Sequence, residues 1–278
     1  MKTVVAVHDL SCYAKSSLTV VIPTLAAMGV EASILPTALL STQTDGFNAY
    51  TYKDMTDFMI NVVHHWKSLN LTFDALYSGF LGSEQQIDVV IDVLNWQKKM
   101  NPEFLIIVDP VLGDQGSPYG PVSEHLIERM ETLVERATII TPNVTEAALL
   151  LKEPFKATLT LEEAIDWAKR LSLLGPQYVA ITSVMDGLEG IVVAYDAHTK
   201  TTTCNRQVYA PVSYPGCGDL FASILSAHMV RGFNFLGAVE SASTLVSQAV
   251  HLSWKAQIET RLGVAVELII PVLVDTLR

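Results

Sequence analysis

Cysteine is scarce in this 278-residue chain, and Cys12, Cys204 and Cys217 show neither disulfide nor metal-ligand spacing. A reduced cytoplasm is the expected setting. Positive charge is short as well. Lys and Arg number 18 against 29 Asp and Glu, for a formal net charge of −11. That balance argues against nucleic acid or an anionic membrane as a main partner. A polyanionic ligand must instead be held by local donors and a cation. No uninterrupted apolar run reaches bilayer-spanning length. Met1-Lys2-Thr3 leads straight into a strand-like stretch, without the apolar region and cleavage pattern of a signal peptide. Repeats, low-complexity tracts and a dividing linker are missing too.

What is present is material for a large core. Hydrophobic residues make up 50% and charged residues 17%, the balance of a globular protein. A chain of this length buries a sizeable core, and residues 1–278 read as a single domain. Residues 3–8, 32–40, 73–78, 104–108, 138–140 and 178–182 have strand patterns. Helical patterns alternate with them at 16–28, closed by Gly29, and at 54–69, 83–100, 123–136, 145–151 and 160–175. The stretches 83–86 and 160–163 look like capping boxes. Such alternation gives an α/β fold with a largely parallel sheet. The run 104–108 is apolar throughout, as expected of a strand covered on both faces. From Gly190 the pattern changes to antiparallel strands at 191–195 and 201–208, and 219–254 is mostly helical. Ligands bind such sheets outside the carboxyl ends of the strands. Asp109, Thr141 and Thr182 all fall at predicted strand ends.

The chemistry concentrates in Tyr214-Pro215-Gly216-Cys217-Gly218-Asp219-Leu220-Phe221. Pro215 and Gly216 break what precedes them. After Asp219, Phe221, Ile224, Leu225, His228 and Met229 recur at helical spacing. Gly216-Cys217-Gly218 is therefore expected as a tight turn opening a buried helix. Its N–H groups would converge on one point with the helix dipole behind them, a geometry that suits a phosphate. Asp219 then has two readings: an N-cap, or a base within reach of a hydroxyl attacking that phosphate. His64 and His65 sit in a predicted helix without metal-ligand spacing and read as solvated. Met and Trp positions follow core periodicity.

The stretch 215–222 resembles the Gly-x-Gly-Asp anion hole and catalytic base of the ribokinase superfamily. Val108-Asp109-Pro110-Val111-Leu112-Gly113-Asp114 is similar to the nucleotide-side motif of its pyridoxal kinase branch. Thr141-Pro142-Asn143-Val144-Thr145-Glu146 is similar to that branch's magnesium and phosphate motif. All three occur in the family's order, and lesser similarity runs from Val7 to the end of the helix after Asp219. The resemblance implies a ribokinase-like, three-layer α/β/α fold with a mainly parallel sheet and antiparallel strands near the C-terminal third. It also implies ATP as co-substrate, Mg²⁺, a monovalent cation as a further candidate, and a homodimer.

By the same resemblance, Asp219 deprotonates the 5′-hydroxymethyl group of a pyridine substrate as that group attacks the γ-phosphate of ATP. Gly216, Cys217 and Gly218 form the anion hole. Glu146 helps to place Mg²⁺ through water, while Asn143 and Glu146 also have capping-box spacing, and both roles can hold at once. Asp109, Asp114, Thr141 and Asn143 fall to the ATP phosphates and metal, and Thr182 and Ser183 to the nucleotide side. Tyr119 lies in a Gly- and Pro-rich loop at 113–120 that reads as a lid, and contributes to the metal region. His8, Asp9 and Ser11 leave the first strand towards the pyridine ring. Thr44 matches a vitamin-contacting position if one insertion is allowed at 45–47. Phe80 aligns with an aromatic residue near the substrate.

Cys217 has a reading of its own. A helix N-terminus often lowers a cysteine pKa, and a thiolate there would add reversibly to the aldehyde of pyridoxal. Against this, relatives with Cys in the turn pair it with a second Cys in the lid, which 114–120 lacks, and a small residue is simply tolerated in a tight turn. The leading function is an ATP-dependent vitamin B6 kinase acting on pyridoxal, pyridoxine or pyridoxamine. The alternatives are a hydroxymethylpyrimidine kinase and a nucleotide-binding sensor that has lost catalysis.

Overall fold

The strand and helix alternation becomes a central nine-stranded sheet in the computed structural model, which describes residues 1–277 except Pro121, Ala157, Leu188, Tyr209 and Pro211. From the N-terminus, β1 (Lys2–Ser11), α1 (Leu18–Ala27) and β2 (Val30–Leu40) lead to edge strand β3 (Tyr52–Asp54) and α2 (Thr56–Ser68). β4 (Ala75–Ser78), α3 (Glu84–Met100) and β5 (Leu105–Val108) follow. A small hairpin, β6 (Gly113–Asp114) and β7 (Ser117–Pro118), precedes α4 (Glu124–Val134), β8 (Ile139–Ile140), α5 (Val144–Leu151) and α6 (Leu161–Ser172). The remainder holds β9 (Tyr178–Asp186), β10 (Glu189–Asp196), β11 (Thr201–Val208), α7 (Cys217–Val230), α8 (Phe235–Lys255) and α9 (Val266–Asp275).

The strand order is β11-β10-β9-β8-β5-β4-β1-β2-β3. β2, β1, β4, β5, β8 and β9 run parallel. Antiparallel pairs close both edges, β2 with β3 at one and β9 with β10 and β10 with β11 at the other. Side chains alternate between the two faces with a period of two, as the pleat requires. Val5, Val7, Leu76, Ile106, Val108 and Ile140 pack beneath α2 to α6. Val4, Ala6, Ala75, Tyr77, Ile107 and Ile139 pack beneath α1, α7, α8 and α9. Both faces are buried, hence the continuous apolar strands. Helix, sheet, helix: the three expected layers are present.

Several details differ from the sequence reading. The run 219–254 splits into α7 and α8, because Gly232 turns left-handed at φ 88° and Asn234 caps α8 through the Gly237 N–H. α9 and β3 are additions to the sequence pattern, and β3 is too short and exposed to carry a periodic signal. The expected loop at 113–120 contains the β6–β7 hairpin. Ser83 caps α3, but the Gln86 side chain turns instead to Gly82, Thr37, Asp54 and Thr56, so the box is half made. Trp254 is 44% exposed and lies outside the core pattern. His64 and His65 are exposed on α2, as expected.

The boxes that open α5 and α6 are complete. Asn143 and Glu146 exchange bonds at the first, Thr160 and Glu163 at the second. The Thr160 box is exposed and remote from the strand ends that matter below. Thr160→Ala is expected to reduce unfolding free energy by about 1 kcal/mol, read as a lower urea midpoint at unchanged slope.

Candidate active site

The turn before α7 has the expected form. Gly216 stands at φ 84°, and a Cβ there would come 3.0 Å from the Val20 side chain, so the position requires glycine in conformation and in space. Helix α7 begins at Cys217. Asp219 lies in its first turn but is not its cap, because Gly216 holds that position without a side-chain bond. The cap reading of Asp219 therefore fails. Asp219 Oδ2 accepts the Ser17 N–H at 2.8 Å, and Oδ1 faces His8 Nδ1 at 3.8 Å. Burial pushes its pKa up to about 6, the Ser17 amide opposing the rise and Asp9 adding to it. That places the group near neutral pH, where a general base is most effective.

Across the rim, the ends of β5 and β8 bring further carboxylates together. Asp109 is buried, with Oδ1 accepting the Thr141 hydroxyl at 2.9 Å. Its Oδ2 would be 3.9 Å from a Cβ on Gly218, so Asp109 faces the glycine turn directly. Burial first and the charge of Asp219 second raise its pKa well above the usual carboxylate range, the Thr141 hydroxyl opposing. Glu146 is also buried and accepts two backbone N–H groups, Asn143 at 2.8 Å and Leu112 at 3.2 Å. Burial and the charge of Asp109 nonetheless raise it well above its ordinary value. Asn143 reaches across to the carbonyl of Gly113, which ties the β6–β7 hairpin to α5. Asp114 is exposed on that hairpin, and Tyr119 follows it at 41% exposure. The phenol of Tyr119 is raised by burial and by Glu146, Asp114, Asp109 and Asp219. Among the described residues, no Lys or Arg pairs with Asp109, Glu146 or Asp219. Nor, among them, do three His, Cys, Asp or Glu side chains converge as a ready-made metal cage.

The end of β1 forms the other wall. His8 is fully buried, its ring edge-on to Tyr77 at 4.3 Å, and burial lowers its pKa to about 3. A Cβ on Gly79 would overlap that ring, so a glycine is needed there. Asp9 is buried and accepts the Ser17 hydroxyl at 2.5 Å. Ser11 is buried beside the Ser16 hydroxyl at 3.3 Å. Phe80 is half-buried next to Gly82, and the Tyr52 hydroxyl comes close to the same glycine. Among the described residues, Thr44 makes no hydrogen bond to this wall. It is exposed, and its loop is anchored by the buried Gln43, which donates to the carbonyls of Asp45 and Arg261.

Thr182 and Ser183 line a cavity of about 210 Å³ that reaches Cys217 and Gly218. Its far walls come from Ile191 and Val192 on β10 and from Val246, Val250 and His251 on α8. These wall residues, with Ser17 and Tyr52, have no place in the sequence reading. The switch to antiparallel strands at Gly190 is their one local signal. Cys217 departs from expectation: burial pushes its thiol up to about 12, the backbone at Tyr214 opposing and Asp219 adding to the rise. A half-buried thiol beside a carboxylate favours its protonated form, against the pull of the helix N-terminus. That direction runs against the thiolate reading, and the backbone N–H of Cys217 at the start of α7 suits an anion hole whatever the side chain does.

A family model described as phosphomethylpyrimidine kinase matches residues 20–263. The pyridoxine/pyridoxal/pyridoxamine kinase of Bordetella avium is 29% identical, over 96% of this chain and 88% of its own. The pyridoxal kinase of Bos taurus is 30% identical, over 72% of each chain. A crystal structure from Bacteroides thetaiotaomicron, assigned to phosphomethylpyrimidine kinase and solved with pyridoxal, is 37% identical. It superposes with a TM-score of 0.93 over 98% of this chain and 95% of its own. Pyridoxal kinase from Lactobacillus plantarum, 28% identical, superposes with a TM-score of 0.90 over 99% and 98%. With its glycine turn, its acidic rim and these relatives, the chain belongs to the phosphomethylpyrimidine kinase family, within the pyridoxal kinase branch of the ribokinase superfamily.

Proposed function

We propose that this chain transfers the γ-phosphoryl group of ATP to the 5′-hydroxymethyl group of pyridoxal, pyridoxine or pyridoxamine. The observation that carries this reading is the juxtaposition at the rim. Asp219 stands one residue after the Gly216–Gly218 turn, and Asp109 faces that turn from β5. Asp219 Oδ1 takes the proton of the substrate hydroxyl. The freed oxygen attacks the γ-phosphorus, the bond to the bridging oxygen breaks, and ADP leaves. Amides of the turn face the equatorial oxygens of the transferring group, where charge must be stabilised. The cavity beside Thr182 and Ser183 receives the nucleotide. A homodimer in the cytoplasm belongs to the same reading and rests on the family resemblance.

Bringing a polyphosphate to buried carboxylates needs a divalent cation. Mg²⁺ keeps much of its water and takes one or two carboxylates along with substrate phosphates. The residues present fit that demand: Asp109 and Glu146 are buried, lack cationic partners and are raised in pKa by burial and by a neighbouring carboxylate. When bound, the ion would offset the charge that develops on the phosphoryl oxygens. Both Glu146 oxygens already accept backbone N–H groups, so Glu146 would reach the ion through a water.

A second reading has a specific basis, since the family model and the Bacteroides structure are both described as phosphomethylpyrimidine kinase. A substrate panel with Mg-ATP separates the two. The expected order has kcat/KM for a B6 vitamer above that for hydroxymethylpyrimidine; the reverse order would replace the proposed substrate.

Asp219→Asn should lower kcat by roughly 10²–10⁴-fold while ATP binding, followed by calorimetry, survives. The same variant tests the sign of the pKa shift. The folded-state pKa of about 6 is above the ordinary value of 3.8, so the folded protein loses stability through this group as pH rises between them. Asp219→Asn should accordingly raise Tm at pH 8 and leave it unchanged near pH 3, where both states carry the proton.

Glu146→Gln should raise the Mg²⁺ concentration needed for half-maximal rate and reduce kcat. An unaltered Mg²⁺ titration would leave Glu146 as a helix cap alone.

A further inference from the structure

We infer that Ser17 is a positioning residue for Asp219, held in a strained backbone conformation by Asp9, so that one chosen oxygen of the base faces the substrate. This deepens the reading of Asp219 as the base and rests on it.

Ser17 has φ 49° and ψ −127°, a combination that glycine adopts readily and other residues rarely do. Such strain persists only where the surroundings hold it in place. Ser17 occupies the N-cap position of α1, yet its side chain makes no cap bond. A serine there ordinarily turns its hydroxyl back to the amides of the first turn. Here the hydroxyl goes elsewhere, to Asp9 Oδ1 at 2.5 Å in a buried contact. Its own N–H donates to Asp219 Oδ2 at 2.8 Å, from 202 residues away in sequence. One residue thus forgoes both a relaxed backbone and a helix cap to join two carboxylates.

The segment is braced on both sides. Ser16 donates its N–H to the Thr19 hydroxyl, which in turn donates to the Ser16 carbonyl. The amides of Val20 and Val21 bond to the carbonyl of Ser17. With both neighbours fixed, the Ser17 peptide has little freedom to turn away from α7. Its N–H ties down Oδ2 of Asp219 and leaves Oδ1, beside His8, as the oxygen free to accept a proton. Asp9, read from the sequence as a substrate contact, gains a second role, because its Oδ1 secures the hydroxyl that keeps this peptide oriented.

The test is built on opposite signs for stability and rate. Ser17→Gly suits the observed φ and removes the hydroxyl, so Tm should hold or rise. Its kcat should fall by roughly 10- to 100-fold, with KM for ATP and for pyridoxine unchanged. Asp9→Ala should bring a similar loss of kcat, and the Ser17→Gly, Asp9→Ala double variant no further loss, because both remove one clamp. Asp9→Asn keeps an acceptor for the hydroxyl and should restore most of kcat. A Ser17→Gly enzyme with wild-type kcat overturns the clamp, and so do losses that multiply in the double variant. A Ser17→Gly chain that loses stability and kcat together also overturns it, leaving Ser17 as part of the fold. Asp219→Asn, measured alongside, separates the two readings: if it retains kcat, the base assignment itself has failed and the clamp falls with it.

Discussion

Negative charge buried without a positive partner is the constraint from which the rest of this cleft follows. Asp109, at the end of β5, and Glu146, in the first turn of α5, lie out of water, with hydroxyl and amide donors as their only compensation among the described residues. Burial and mutual repulsion both favour the neutral forms. The free protein therefore holds its site in an electrostatically unfavourable state, which under the proposed function a cation and a phosphate-bearing ligand would relieve together. An acidic chain that handles a polyanion is coherent on these terms. On the proposed reading, attraction would come from the ion and from backbone N–H groups, not from a basic surface.

The two helical layers each build part of the rim. Asn143 and Glu146 open α5 on one face of the sheet, while Asp219 opens α7 on the other. Only the strand ends, with Asp109, Thr141 and His8, connect them. The parallel sheet brings helix N-termini from both layers to the same edge, where their partial positive charge offsets part of the carboxylate burden.

Features encoded over a few adjacent residues are legible in the sequence. The glycine turn, the strand ends at Asp109 and Thr141 and the Asn143–Glu146 cap all belong to short stretches with a local physical signature. Ser17 and Tyr52 have none. Each matters because tertiary packing brings it to a distant residue, Asp219 for Ser17 and Gly82 for Tyr52. The cavity walls on β10 and α8 likewise look like ordinary apolar strand and helix until the fold joins them. Cys217 shows the opposite failure. Its place at a helix N-terminus is plain from the sequence, but its partial burial beside Asp219, which no short stretch reveals, acts in the opposite direction to the dipole. Thr44 aligns by similarity only across an insertion, and the loop there is anchored by its neighbour Gln43 instead.

The bond between Ser17 and Asp219 also has a consequence for how the molecule is made. It spans 202 residues, and α1 and α7 share one packed layer. During synthesis, β1, α1 and the strands up to β8 can assemble before α7 exists, since domains form progressively as the chain emerges. Asp219, its backbone tether to Ser17 and the glycine turn come together only after the C-terminal third has been translated. A ribosome-bound chain with most of the sheet in place therefore still lacks the half of the rim that α7 carries.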